Sequence, residues 1–304
     1  MREIVKNVLN KIGIQSADLF QPILLKSIKK AAVEQKLKGY VSKLCSIVPD
    51  ISNQYTTTKI EGPYVEAKAR TQQAFQMRLF ERAVRMQSKN KMTVVDIGDS
   101  AGTHLQYIKK LCKDITFRTI SVNLNKKSVE RIKDKGMEAI HCAAEELDLG
   151  DEDIDLFVTF QMVEHLMNPC LFFRRLAIRG KSEYLLVTVP YRKRSSVGLW
   201  FYRPLIQALK RNQQDLSAYS EILSRARLAE DEHIFELSPL DWKLLMLFSG
   251  WRPIHDEVYL QYPRRHILYF TKPLWKRIDF EGFWGVILKR DLSFSNIYKD
   301  WSDE

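Results

Sequence analysis

The stretch TVVDIGDSAGTHLQYIKKL, Thr93 to Leu111, decides the fold. A β-branched apolar run ends in Asp96 and Gly98, small residues follow, and a helical pattern begins at Thr103. Such a run reads as a buried strand, and the loop at its carboxyl end opens a ligand crevice in a doubly wound sheet. A turn built for a pyrophosphate places glycines at positions 98, 100 and 103, because the backbone must come close to the phosphates at the helix N-terminus. The chain has Gly98, Ser100 and Thr103 there. A dinucleotide is therefore not the expected ligand.

Outward from that stretch, apolar residues recur at two alternating periods. Tyr64 to Gln87 precedes it as one long helix. After it, TFRTISVNL (116–124) predicts a second strand, residues 126–135 a helix, MEAIHCA (137–143) a third strand, and DIDLFVTF (153–160) a fourth. Residues 168–180 predict a helix, and EYLLVTVP (183–190) a fifth strand. Strands alternating with helices of this length give an α/β fold, a Rossmann-like, doubly wound and mostly parallel sheet. Beyond the fifth strand, SPLDWKLLMLFSGW predicts a helix capped by Ser238. PIHDEVYLQYPRRHILYFTK (253–272) reads as two strands forming an antiparallel edge pair. The expected division is a basic helical extension and linker (1–63), a cofactor-binding core (64–190), a basic and aromatic helical insert (191–232), and a C-terminal half with the edge strands and tail (233–304).

Composition narrows the setting. The net charge of +11 is concentrated at the front, where residues 1–90 carry 16 Lys and Arg against 7 Asp and Glu. A basic front section suggests contact with something anionic. No run approaches the ~20 apolar residues needed to cross a bilayer, and the first residues lack the apolar core of a secretion signal. The four cysteines form no Cys-x-x-Cys pair, and no histidine stands at ligand spacing from them. Reduced thiols in a cytosolic protein, and no metal site, are the expectation.

A cofactor without phosphates asks less of the loop. S-adenosylmethionine presents an amino-acid head, a sulfonium and an adenosine, so small residues are enough, with Asp96 orienting the ammonium through a water or the loop backbone. VVDIGDSAGTHL resembles motif I of the class I S-adenosylmethionine-dependent methyltransferases. The later segments follow in the order of that family, ending with DEHIFELSPLDWKLLMLFSGW, which is similar to the His-x-x-x-Phe and helix of many of its small-molecule O-methyltransferases. The resemblance implies that Gly98, Ser100, Gly102, Asn123, Ala144 and Glu145 hold the cofactor. It departs from the family at Asn123, where an acid is usual for the ribose, and at Ala143, where an acid often stands near the adenine, with Glu145 and Glu146 close by as substitutes.

Methyl transfer to oxygen needs the reactants positioned and desolvated, and it gains from an aromatic face near the sulfonium and a base near neutral pKa. Phe160, after the fourth strand, and Tyr191, after the fifth, are the candidate faces. His165, which follows Glu164, and His233, which opens HIFELSP, are the candidate bases, so that His165, Tyr191 and His233 face the acceptor. The insert RKRSSVGLWFYRPLIQALKR sets Trp200, Phe201 and Tyr202 beside Arg192, Lys193, Arg194 and Arg203. Such a lid suits a membrane interface or a phosphorylated acceptor. The expected activity is O-methylation of a small-molecule, glycan or lipid-linked acceptor, in the cytoplasm at an anionic membrane face. Two alternatives stay open: an RNA methyltransferase, although no Pro-Pro-Tyr turn follows the fourth strand, and a non-catalytic scaffold, which would give no heat with S-adenosylmethionine. Nucleic acid is not the expected partner.

Overall fold

The computed structural model describes residues 20–55, 59–180, 182–198, 203–217, 233–278 and 280–296. The first nineteen residues, the Trp200–Tyr202 cluster, the polar stretch 218–232 and the end of the tail lie outside the described residues.

Seven strands form one sheet. Four helices and five strands alternate first: α3 (Gly62–Arg85), β1 (Lys91–Ile97), α4 (Thr103–Leu111), β2 (Thr116–Asn123), α5 (Lys126–Asp134), β3 (Glu138–His141), β4 (Leu156–Phe160), α6 (Pro169–Arg179) and β5 (Tyr184–Pro190). These five strands run parallel in the order β3-β2-β1-β4-β5. The order reverses between β1 and β4, which opens a crevice beyond their carboxyl ends. Strand β4 is buried at every position, as a central strand covered on both faces must be.

After β5 come a short strand β6 (Ser196–Val197), α7 (Arg203–Lys210), β7 (Phe235–Glu236), α8 (Pro239–Phe248), β8 (Trp251–Leu260), α9 (Lys272–Ile278) and β9 (Gly282–Arg290). The side chain of Ser238 caps α8 by accepting from the Asp241 amide at 3.3 Å, and Pro239 opens the helix. The insert is not wholly helical, since β6 pairs antiparallel with β7.

One expectation is corrected. The antiparallel pair is β8 with β9, and residues 262–272 form no second strand. Pro263, which has no amide hydrogen, and the exposed Arg264 and Arg265 interrupt that run, which closes in a 3-10 turn over Ile267–Thr271. The second strand comes from the tail, where GFWGVILKR inserts between β5 and β8, antiparallel to both.

Two helices lead into the core, α1 (Gln21–Glu34) and α2 (Lys38–Ile47). Leu24 and Ile28 pack with Leu260, Tyr262 and Trp275, while Ala31, Leu37 and Leu44 join the buried face of α3. Exposed lysines such as Lys26, Lys29 and Lys30 take the solvent side. This is amphipathic packing with the charge left outside.

Candidate active site

The loop after β1 is held in place from two sides. Gly98 adopts φ +97°, a backbone state that side chains disfavour, and its amide donates to the Val122 carbonyl at 2.8 Å. Gly102, at φ +73°, is the residue before α4, and a Cβ there would meet Met137 Cε at 2.5 Å. The Lys135 ammonium donates to the Ala101 carbonyl. With glycine at the cap position, Asp99 sits fully buried near the first turn of α4, where a negative charge meets the positive end of the helix.

A cavity of about 300 Å³ opens beside this loop. Of the residues predicted from sequence, Gly98, Ser100, Asn123, Ala144, Glu145, Phe160 and His165 line it. Asp96 and Gly102 stand behind the loop, outside the lining. The Asn123 amide already braces the loop, donating to the Asp99 carbonyl at 3.2 Å and accepting from the Asn125 amide at 2.8 Å. The turn at Ala144–Glu146 is fixed by the Arg175 guanidinium, which donates to the Glu145 carbonyl.

Tyr191 and His233 do not line the cavity. Tyr191 is half-buried against apolar side chains, and its amide donates to the Gly282 carbonyl at 2.9 Å. His233 stands directly behind His165, ring centroids 4.6 Å apart and nearly perpendicular. The Ile234 amide donates to the Glu164 carbonyl at 2.8 Å and so ties the two histidine segments together. The Nδ1 of His233 lies 3.3 Å from Glu236 Oε1, and its ring stacks on Phe280. Glu236 is also ion-paired with Arg192. Glu164 is 1% exposed, and neither carboxylate oxygen has a hydrogen-bond partner. Burial pushes its carboxyl up to about 7, while the neighbouring His233 pulls the other way.

Sequence reading missed the wall that α3 supplies. Gln72, Gln73 and Gln76 line the cavity, with Gln54 and Tyr55 from the loop before the helix and Gln161 after β4. Gln161 holds φ +57°, and its amide donates to the Thr188 carbonyl at 2.8 Å. Strained backbone of this kind clusters at binding sites. The signal available was the row of neutral amides in TQQAFQMR, on a face that packing would otherwise make apolar.

His104, which reads from sequence as a helix-surface or cofactor-rim residue, is buried and lines the cavity. Its Nδ1 lies 3.2 Å from Asp96 Oδ2 and 3.6 Å from Asp99 Oδ1, and its ring meets the edge of Phe160 at 4.9 Å between centroids. Burial raises Asp96 to about 6 against the opposing His104. Burial pulls the His104 imidazole down, but Asp99 and Asp96 together carry it above the ordinary 6.5. The native state thus keeps a proton that the unfolded chain releases, so this stabilisation is complete below pH 6.5 and is lost as pH rises through the raised native value. Urea unfolding of wild type and His104→Gln is expected to show a larger gap at pH 6 than at pH 9; equal gaps would remove the charged pair.

The methyltransferase domain family matches residues 95–179, from the middle of β1 to the end of α6. Residues 95–179 carry a methyltransferase domain. S-adenosylmethionine is accordingly its cofactor. By sequence, no curated protein matches the chain. Among solved structures, the cyclase SpnF superposes with a TM-score of 0.50 at 11% identity, covering 86% of this chain and 96% of that one. The 1,6-didemethyltoxoflavin-N1-methyltransferase of Burkholderia thailandensis gives 0.45 at 12%, covering 71% and 78%. An S-adenosylmethionine-dependent methyltransferase of Mesorhizobium loti gives 0.45 at 13%, covering 69% and 96%. At 11% identity the likeness to SpnF is one of fold, and a neighbour named as a cyclase shows that this fold does not by itself fix a reaction.

Proposed function

We propose that this methyltransferase transfers a methyl group to a hydroxyl of a small-molecule or glycan acceptor presented at an anionic membrane surface. Gly98, Ser100, Asn123, Ala144, Glu145 and Phe160 hold the cofactor, with Asp96 and Gly102 shaping the loop from behind. The fit rests on unsatisfied acceptors: Gln54 Oε1 and Gln76 Oε1 are buried without partners, and both residues line the cavity. The donor's ammonium group is the complement such oxygens need. When bound, the cofactor supplies an electrophilic methyl on sulfur. The protein's own part is to exclude water and to place the acceptor oxygen.

The observation that carries the oxygen assignment is the meeting of His165 and His233 at one end of the cavity, beside the buried Glu164. Imidazole and carboxylate groups at this position are proton acceptors for an acceptor hydroxyl. Tyr191, whose amide donates to the Gly282 carbonyl of β9, stands outside this group.

The membrane part rests on the 3-10 turn at Ile267–Thr271. Ile267 is 80% exposed and Phe270 54%, with exposed Arg264, Arg265 and Tyr269 around them. Lys272 caps Tyr269, donating to its hydroxyl at 2.9 Å. Ser27 of α1 bonds Thr271 at 2.9 Å, which brings the lysine-bearing helix to the same turn. Apolar side chains ringed by cations are the pattern of an interfacial anchor.

Methyl-labelled cofactor offered lipid, glycan and RNA fractions is expected to leave an alkali-stable methyl ether in the lipid or glycan fraction; label in RNA would overturn the reading. Flotation is expected to show salt-sensitive binding to vesicles containing phosphatidylserine and about tenfold weaker binding of Ile267→Ser/Phe270→Ser. Wild type that stays at the bottom of the gradient removes the membrane component.

A further inference from the structure

We infer that Glu164, His165 and His233 form a binding site for a divalent first-row transition-metal ion at the acceptor end of the cavity. One ligand atom from each of the three lies within 4.8 Å of the others, close enough for a single ion to reach all of them. Two imidazoles and one carboxylate are a donor set for zinc, iron, cobalt or manganese, with coordination positions left open for an exchangeable ligand.

Three further features of the group point to a cation. First, Glu164 is 1% exposed with both oxygens lacking a hydrogen-bond partner. A buried carboxylate without donors is costly unless a charge or metal compensates it. Second, His233 has the support typical of a metal ligand: with Nδ1 turned to Glu236 at 3.3 Å, Nε2 is the nitrogen left for the ion, and the carboxylate fixes the tautomer. Third, the charges balance. Arg192 pairs with Glu236, whereas no hydrogen-bond donor reaches either oxygen of Glu164. An M²⁺ ion on Glu164 and two neutral imidazoles leaves a net charge of +1, the complement of one oxyanion.

Position links the site to the reaction, and this link alone rests on the O-methylation reading. His165 lines the same cavity as Gly98 and Ser100, so an ion held by it would border the space beside the cofactor loop. A hydroxyl bound there loses its proton to solvent, the O–H electron pair stays on oxygen, and the metal stabilises the resulting anion.

The test is cobalt(II) titration of the untagged full-length protein, read by visible absorption and by metal analysis after dialysis. One equivalent is expected, with two imidazole N–H resonances shifted by the paramagnetic ion in the proton NMR spectrum. Glu164→Gln, His165→Ala and His233→Ala are each expected to weaken cobalt binding by at least tenfold, and Glu236→Gln by about tenfold through the lost support. S-adenosylhomocysteine calorimetry on every variant reports folding and the cofactor site separately. No stoichiometric cobalt, zinc or manganese binding by wild type would overturn the site, as would binding that the histidine variants leave unchanged. If a variant fails to fold, the wild-type resonances decide, since their absence also overturns it. Cobalt binding without S-adenosylhomocysteine binding would support the metal site while removing the cofactor reading.

Discussion

Gly98→Val is expected to weaken S-adenosylhomocysteine binding by about 100-fold, or ~2.7 kcal/mol, in calorimetry. The argument is local. Gly98 sits at φ +97°, where a β-branched residue is strained by about 1–3 kcal/mol. A Cβ at this position would also stand 2.8 Å from Met162 Cγ and 3.0 Å from Met162 Cβ. The outer part of Met162 can rotate away, but its Cβ is fixed to the backbone of the turn after β4. Relief therefore requires the 98–102 loop to move, and with it Ser100 and the Asn123 brace, which donates to the Asp99 carbonyl. Gly98→Ala shares the φ penalty with less bulk, so about tenfold is expected. Binding within threefold of wild type in both variants would show that the cofactor does not rest on this loop.

That loop was the most legible part of the molecule. The strand before it and the helix after it are written in local pattern, and the five parallel strands follow from the same alternation of two and 3.6 residue periods. What the pattern could not supply is what distant segments do to one another. Glu164 and His165 stand beside His233 only because the Ile234 amide bonds the Glu164 carbonyl across the end of the sheet. No spacing rule joins residues so far apart, so a sequence reading that found no metal ligands at fixed intervals had nothing to detect. His104 is a partial case: on a helix it reads as a surface or cofactor-rim residue, and only the packing of α4 against β1 turns it towards Asp96. The glutamines of α3 were hidden differently. The helix itself was plain, but its burial as one wall of the cavity depends on a tertiary contact.

The tail gives the sharpest contrast, because β9 was unassigned by pattern yet sits between β5 and β8. Trp284→Ala tests that placement and is expected to cost about 3–5 kcal/mol. Trp284 is fully buried, in a cluster with Trp242, Trp251, Phe157 and Val187, and its indole N–H donates to Asp256 Oδ2 at 3.0 Å. Truncation forfeits the transfer energy of the ring and leaves a void that strands pinned on both sides close poorly, since β9 pairs with β5 from Phe283 to Lys289 and with β8 from Gly282 to Arg290. Asp256 keeps Lys243 at 2.8 Å, so the lost hydrogen bond adds only about 1 kcal/mol. Domains are stable by about 5–15 kcal/mol, so the variant should lose roughly a fifth or more of the total and melt roughly 10 °C lower. Trp284→Phe keeps most of the volume and should lose about half as much. An edge tryptophan would behave otherwise, because a side chain open to solvent on one face collapses cheaply when shortened. A loss below 1 kcal/mol for Trp284→Ala would therefore move β9 out of the middle of the sheet, and with it the Gly282 carbonyl that anchors Tyr191 and the Phe280 ring that backs His233.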